Sequence, residues 1–389
     1  MTTTPRRTPT RKRVLVICQL DAFANGVKPA AIERFLRERG YDAHLVDTYH
    51  LSRWSGAPGP LAGRLPAPSP RKLALYATEA AAALLTRRWG YGRRHLSYYL
   101  LVADHRLRRG ILRRSLPLDD FDLVICETVY DAGVLACARS AETLYDAPAP
   151  WADEVFYDGR LSGRQHARLR RLETDLFEGV DHLALHWESY ARYAVERYGI
   201  SGRNLIPLNF GCTPAGQRAA FADPPRVVYL GNLSAGFNDP ELLSRLSALY
   251  PHLDVFGGPP PDPSLQLNYL GYAPSLDVLR DYQLGLVTCS KDPLRRDGFS
   301  SKHLQYLSYG LPVLVPAWRR HLDLLRGSFV YTEETFRSVV DAMGVERRWR
   351  WASDRAYAQA EHLSWNETLR PLEQLLNDDA SLPEDVKWT

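Results

Sequence analysis

Residues 297–315 read DGFSSKHLQYLSYGLPVLV, and this stretch joins a helix to the buried strand that follows it. Ser300 and Ser301 are residue types that commonly begin helices, and Leu304 and Leu307 recur at helical spacing before a glycine that ends the helix. The apolar run after the glycine has the length of one strand. A helix followed by a buried strand is the repeating unit of α/β proteins, so this stretch predicts that fold class.

Similar short apolar runs recur along the chain, each bounded by turn residues and followed by a helical stretch. They form two series, at 14–18, 43–47, 122–126, 143–146 and 182–186, and at 226–230, 253–256, 267–271, 284–288 and 312–316. Uninterrupted apolar runs are typical of parallel strands that helices cover on both faces. The sequence therefore predicts two Rossmann-like domains, each with a parallel sheet.

The segment between the two series, residues 209–225, is rich in Gly, Pro and Ala and lacks both helical and alternating periodicity, so we predict a linker there. A chain of 389 residues is also long for one domain. The predicted organisation is a basic tail at 1–12, an N-terminal domain at 13–208, the linker, a C-terminal domain at 226–350, a final helix at 351–378 and a tail at 379–389.

Composition and motifs argue against several protein classes. The five cysteines form no C-x-x-C pair, and an odd number fits reduced thiols, so we expect a cytoplasmic protein. The sequence has neither an 18-residue apolar run nor a signal-peptide pattern. The glycine fingerprints of dinucleotide-binding enzymes and P-loop proteins are absent, and the histidines form no metal-ligand spacing. We therefore expect no metal and no other cofactor.

Polar residues follow the predicted strands of both domains, where open α/β sheets bind their ligands. In the first domain they are Asp21, Asn25, Gly26, Glu127, Thr128, Asp153, Glu154 and Glu188. In the second domain they are Gly231, Asn232, Gly257, Gly258 and Ser290. This distribution predicts a ligand held between the two domains.

Lys302 occupies the first turn of the predicted helix, where the helix dipole already carries partial positive charge. A bound anion would offset the repulsion between the lysine and the positive end of the helix dipole. Free backbone N–H groups, serine hydroxyls and a lysine together suit a phosphate. Gln305 lies one turn further along the same face. The alternative interpretation is an exposed, solvated lysine.

The stretch from Asp297 resembles the motif E-x7-E followed by E-A-x-A-x-G-x-P-V-V of GT-B glycosyltransferases. Asp297 and Gln305, eight residues apart, stand in the two acidic places. The resemblance implies that Asp297 lies near the donor sugar, that Gln305 contacts the ribose and that the helix N-terminus holds the diphosphate. It covers most of the chain and implies two Rossmann-like domains facing a central cleft, with the final helix crossing back to the first domain.

Two departures from retaining family 4 enzymes favour another subtype. Those enzymes carry G-R and then a lysine after the first strand of the second domain, whereas residues 230–240 read LGNLSAGFNDP. Neutralisation of the diphosphate would then fall to Lys302 and the helix end. The stretch SSKHLQYLSYGLPV looks more like the inverting xanthan-pathway glucuronosyltransferases, and that resemblance implies Asp153 as base and Glu188 as a second carboxylate. Asp146, Glu154 and Asp158 are rivals for the base, and His186 is an alternative base or an acceptor-binding residue.

The resemblance implies a hexosyltransferase that moves a sugar from a nucleotide diphosphate donor, with UDP favoured, to an acceptor hydroxyl with inversion. Donor binding is expected from Lys302, Gln305, Ser300, Ser301, Asp297, Gly231 and Asn232, and acceptor binding from Asp21, Asn25, Gly26, Glu127 and His186. Three alternatives stay open: a retaining family 4-like transferase, a nucleotide-sugar 2-epimerase, and a catalytically silent sugar-nucleotide-binding protein.

Residues 71–114 hold eleven Lys or Arg against two acidic residues, interleaved with aromatics. Such a surface attracts anionic headgroups, so peripheral contact with the inner membrane face and a lipid-linked acceptor are expectations, whereas nucleic acid is not. The alternative is an arginine-rich solvated helix face. The sequence RRWRW at 347–351 either extends this basic surface or packs the final helix.

Overall fold

The computed structural model describes residues 11–18, 27–48, 94–159, 161–200, 205–231, 233, 238–258, 260–273, 275–298, 300–319 and 325–377. Contacts within the chain divide it into two compact units. The N-terminal unit comprises residues 1–209 and 369–389, and the C-terminal unit comprises residues 210–368. In the part of the chain that the structure describes, no helix has the length and apolar character needed to cross a bilayer.

The N-terminal unit is built on a six-stranded parallel sheet in the order β2-β1-β3-β4-β5-β6. Its strands are β1 (Arg13–Cys18), β2 (Asp42–Asp47), β3 (Leu123–Cys126), β4 (Glu142–Ala147), β5 (His182–Leu185) and β6 (Leu205–Ile206). Its helices are α1 (Val27–Glu38), α2 (Arg94–Ser115), α3 (Val129–Ala132), α4 (Trp151–Tyr157), α5 (Gly163–Glu178) and α6 (Glu188–Tyr198). The residues of β3 are fully buried, as expected for a central strand covered on both faces.

The C-terminal unit is built on a second six-stranded parallel sheet in the order β12-β11-β10-β7-β8-β9. Its strands are β7 (Val227–Leu230), β8 (Leu253–Phe256), β9 (Asn268–Tyr269), β10 (Leu284–Leu286), β11 (Val313–Pro316) and β12 (Ser328–Tyr331). Its helices are α7 (Pro240–Leu249), α8 (Pro293–Asp297), α9 (Ser301–Ser308), α10 (Phe336–Ala342), α11 (Glu346–His362) and α12 (Trp365–Thr368). The two parallel sheets confirm the predicted α/β class.

All ten predicted strands are present, and the structure adds two that the sequence pattern did not indicate. β6 has only two residues, too few for a periodicity signal. β12 lies at the edge of its sheet and leaves Val330 41% exposed, so it lacks the uninterrupted burial of the central strands. β12 is therefore harder to recognise from an apolar run alone.

The C-terminal residues form three helices where the sequence pattern predicted one. The last of them is α13 (Arg370–Leu376), and Pro371 in its first turn prevents continuation from the preceding helix. α13 belongs to the N-terminal unit. There Arg39 Nε lies 2.9 Å from Glu373 Oε2, and the Tyr41 hydroxyl donates to Asn377 Oδ1 over 2.8 Å.

Candidate functional site

Lys302 lies in the first turn of α9, as the sequence predicted. Its ammonium donates to the Tyr229 hydroxyl over 2.9 Å and to Asn238 Oδ1 over 3.3 Å, and it lies 4.5 Å from the centroid of the Tyr229 ring. Ser300 is the N-cap residue, yet its side chain makes no capping hydrogen bond. The start of α9 therefore combines an ammonium with backbone N–H groups that no Ser300 side chain satisfies.

Gly231 lies directly beneath Lys302, at the carboxyl end of β7. Its φ is +149°, and a Cβ at this position would overlap Cε and Nζ of Lys302. Gly257, at the end of β8, has a φ of +110°, and a Cβ there would lie 3.1 Å from the Gly231 nitrogen. Two glycines thus allow the backbone to approach the lysine closely, which brings the predicted residues Gly231 and Lys302 together.

Arg319 is a second cation of this region that the sequence analysis missed. It follows β11, is 3% exposed, and donates through Nη1 to Cys289 Sγ over 3.3 Å and through Nη2 to the Gly298 carbonyl. Burial lowers the pKa of Arg319. The expectation that only Lys302 and the helix end supply positive charge was therefore incomplete. The sequence did carry one indication of Arg319: it lies just after a predicted strand, where α/β sheets bind their ligands.

Cys289 lies three residues after the end of β10 and contacts Arg319. Burial raises the pKa of this thiol, while the charges of Arg319, Lys302 and Arg295 oppose the increase. The thiol thus lies in positively charged surroundings beyond the carboxyl end of β10. A site with this charge and these helix N–H groups suits a diphosphate.

The remaining residues predicted for donor binding are placed as follows. Gln305 is half-buried one turn after Lys302, and Ser301 is exposed at the first position of α9. Asp297 is the last residue of α8. Asn232 lies outside the described residues.

Asp153, the predicted base, lies in the first turn of α4 and is 3% exposed. Its Oδ1 lies 2.5 Å from His166 Nε2, and its Oδ2 accepts a hydrogen bond from the Tyr193 hydroxyl over 2.6 Å. The His166 ring stacks on Phe156 with centroids 4.2 Å apart, and its side chain is 19% exposed. His166 is therefore the more solvent-accessible member of the Asp153–His166 pair. His166 was not among the residues predicted from the sequence.

Glu173 holds the start of α4 in place. This fully buried carboxyl accepts hydrogen bonds from the backbone nitrogens of Trp151 and Ala152 over 2.6 and 3.0 Å, and from the Tyr198 hydroxyl over 2.7 Å. Burial raises the pKa of Glu173 to about 8, although these three donors oppose the increase. Because the carboxyl binds the two residues before Asp153, it positions that side chain.

Glu188, the second predicted carboxylate, is an exposed residue at the start of α6. It forms an ion pair with Arg192 at 2.6 Å, one turn further along the helix. The preceding residue, Trp187, has φ of +69° and ψ of +146°, a backbone conformation that almost only glycine adopts without strain. Such strain is concentrated at functional sites, but the structure does not bring Glu188 into hydrogen bonding with Asp153.

A buried ion cluster lies at the carboxyl ends of β4 and β5 in the N-terminal unit. Lys28 Nζ, which is fully buried, lies 2.8 Å from Asp146 Oδ1, 2.8 Å from His186 Nε2 and 2.6 Å from the Leu208 carbonyl. Burial and the Lys28 charge lower the pKa of His186. Since His186 is 5% exposed and its Nε2 faces the ammonium, its position favours a structural role over that of a base.

Four further residues were predicted to bind the acceptor, and one of them lies within the described residues. Glu127 is buried at the end of β3, where its charge adds to the effect of burial in raising the pKa of Cys18. Asp21, Asn25 and Gly26 lie outside the described residues. Within the described ranges, no group of three or more His, Cys, Asp or Glu side chains is arranged to hold a metal ion.

Comparison with known proteins shows similarity at the level of the fold. No family model matches the sequence, and no curated protein matches it. A sucrose-phosphate synthase from Thermosynechococcus elongatus superposes with a TM-score of 0.62 at 12% identity, covering 94% of this chain and 98% of that one.

Two further solved structures are also similar in fold at low sequence identity. A glycosyltransferase from Rickettsia africae has a TM-score of 0.58 at 10% identity, covering 96% of this chain and 100% of that one. HepE from Anabaena, solved with UDP and glucose, has a TM-score of 0.57 at 12% identity, with coverage of 96% and 100%. The chain therefore has the α/β fold, with two parallel sheets, of the GT-B glycosyltransferases.

Proposed function

We propose that this protein transfers a sugar from a nucleotide diphosphate donor, with UDP favoured, to an acceptor hydroxyl. The observation that carries the proposal is the arrangement at the start of α9, where Lys302 lies over Gly231 beside backbone N–H groups. The similarity to HepE, whose structure contains UDP and glucose, supports a donor of this kind.

In the proposed donor complex, the diphosphate binds at the N-terminus of α9. Lys302 supplies a charge-assisted contact, and Arg319 adds a second positive charge as the diphosphate leaves. The Nε of Arg319 is buried and has no hydrogen-bond partner among the described residues, so the guanidinium retains donor capacity. Following the resemblance, Gln305 would contact the ribose and Asp297 would lie near the sugar.

For the transfer itself we propose inversion. Asp153 and His166 together act as the base. Because both oxygens of Asp153 already have partners, His166 is placed to receive the proton and Asp153 to stabilise the imidazolium that forms. The acceptor oxygen attacks the anomeric carbon as its proton moves to His166. The bond from that carbon to the diphosphate breaks, and the diphosphate takes the electron pair.

We also propose membrane contact through the basic region, of which residues 94–114 lie within the described ranges. Arg106, Arg109 and Arg113 of α2 are exposed. Arg108 is instead buried, with Nη1 3.5 Å from Asp131 Oδ1. The solvated arginines could contact anionic headgroups near a lipid-linked acceptor.

Calorimetric binding of UDP, GDP, TDP and ADP tests the donor site without knowledge of the acceptor. We expect one diphosphate to bind, and a Lys302→Ala protein to bind it about 10- to 100-fold more weakly, because hydrogen bonds to charged groups contribute about 1.5–3 kcal/mol. Gly231→Ala should weaken binding similarly, since its methyl group would displace the lysine.

Gly216→Ala is the matched control, because a Cβ at Gly216 meets no atom within 4 Å. Equal UDP affinity for the parent and Lys302→Ala proteins would refute the donor-site assignment. Isomerised nucleotide sugar formed without an acceptor would instead identify a 2-epimerase.

A further inference from the structure

One face of α11 exposes apolar and basic side chains together. Val345, just before the helix, is 58% exposed and Trp351 is 55% exposed. Arg347, Arg348 and Arg355 are also exposed. We call these five residues the Trp351 face. Its side chains follow helical spacing, while Trp349, Ala352 and Ala356 point into the unit and are buried.

The Trp351 face borders an open, largely apolar groove of about 700 Å³. Phe329 of β12 and Val339, Ala342 and Met343 at α10 line this groove, together with residues of the Trp351 face. The groove lies beside an edge strand, on which Val330 is 41% exposed. Exposed apolar side chains gathered in this way mark interaction surfaces more often than isolated ones do.

The charge of this surface is not compensated locally. Nearby arginines are paired, Arg337 with Asp341 at 2.9 Å and Arg350 with Glu346 at 2.6 Å. By contrast, the three arginines of the Trp351 face form no ion pair with any described residue. The Arg355 guanidinium lies 4.7 Å from the Trp351 ring centroid. An exposed indole therefore shares this face with three cations that remain available to anions, and one of them, Arg355, lies over its ring.

We propose that the Trp351 face binds the headgroup region of an anionic lipid bilayer. Guanidinium groups bind phosphates, and tryptophan is favoured at the membrane interface because its ring is apolar and its N–H is polar. The surface is open rather than enclosed, which suits an extended partner. The Trp351 face shares no residue with the basic region at 71–114 or with the donor site, so the inference goes beyond the proposed function.

Sedimentation with vesicles tests this inference on the full chain. The vesicles contain phosphatidylcholine with about 30% phosphatidylglycerol, or phosphatidylcholine alone, at low and high salt. We expect the parent to bind only the anionic vesicles and to be released by salt. Arg347→Gln/Arg348→Gln should lower the partition coefficient about 10- to 25-fold, given roughly fivefold for each arginine. Trp351→Ala should lower it about fivefold or more.

Two control variants each remove two positive charges from helices outside the Trp351 face. Arg168→Gln/Arg171→Gln changes exposed residues of α5 and should bind within about twofold of the parent. Arg109→Gln/Arg113→Gln tests the exposed arginines of α2. Thermal melting checks that each variant is folded.

The inference is overturned if Arg347→Gln/Arg348→Gln binds anionic vesicles like the parent, or if the α5 variant loses as much binding. Binding of polyglutamate without binding of vesicles would also overturn it, and would assign the surface to an acidic protein.

Discussion

An Asp153→Asn protein is expected to bind the donor nucleotide like the parent and to lose turnover by about 10²- to 10⁴-fold. Asparagine keeps the shape of the side chain but cannot stabilise a protonated His166, which lies 2.5 Å from Oδ1. The measurement is the initial rate with the donor identified by calorimetry and its acceptor, alongside nucleotide affinity. Unchanged affinity would separate a chemical defect from a defect in donor binding.

His166 variants show whether His166 or Asp153 accepts the proton. His166→Gln should lose turnover to a similar extent, and added imidazole should restore part of the activity of His166→Gly, because free imidazole can occupy the vacated space. If His166→Gln keeps full activity while Asp153→Asn does not, the aspartate itself takes the proton.

Neighbouring carboxylates provide the control for Asp153. Glu154→Gln removes a charge one residue away, in the same helical turn, and should leave turnover within a few-fold of the parent. Full turnover by Asp153→Asn would contradict the assignment, and Glu188 would then be the next carboxylate to test.

A Lys28→Met protein is expected to lose about 3–5 kcal/mol of unfolding free energy. Methionine has a similar volume, but it leaves the fully buried carboxylate of Asp146 without the ammonium that lies 2.7 Å from its Oδ2. His186, whose Nε2 lies 3.0 Å from Asp146 Oδ1, would be the remaining partner, and removing one member of a buried ion pair costs far more than the net contribution of the pair. Urea unfolding, followed by a probe in the N-terminal unit, measures the effect.

The double variant Lys28→Met/Asp146→Leu separates charge from packing. Replacing both partners of a buried ion pair with apolar residues is often close to neutral, so we expect most of the lost stability to return. Arg192→Gln breaks the exposed pair with Glu188 and should change stability by less than about 0.5 kcal/mol. A Lys28→Met protein as stable as Arg192→Gln would contradict the structural role of the cluster.

Local sequence patterns were sufficient for ten of the twelve strands in the described part of the chain. The apolar runs at 122–126 and 312–316 correspond to strands β3 and β11, because central parallel strands are buried on both faces and carry no polar alternation. The helix starting at Ser301 was also predictable, since its capping residues and leucine spacing are local features. That helix start placed Lys302 correctly and led to the donor-site proposal.

The sequence by itself thus determined the α/β class and the position of Lys302, because both depend on residues a few positions apart. Only the tertiary structure brought His166 to Asp153, Arg319 to Cys289 and Lys28 to Asp146. The last two of these pairs are 30 and 118 residues apart in sequence. Contacts of this kind depend on which strands become neighbours and how their helices pack, and no local periodicity encodes that arrangement.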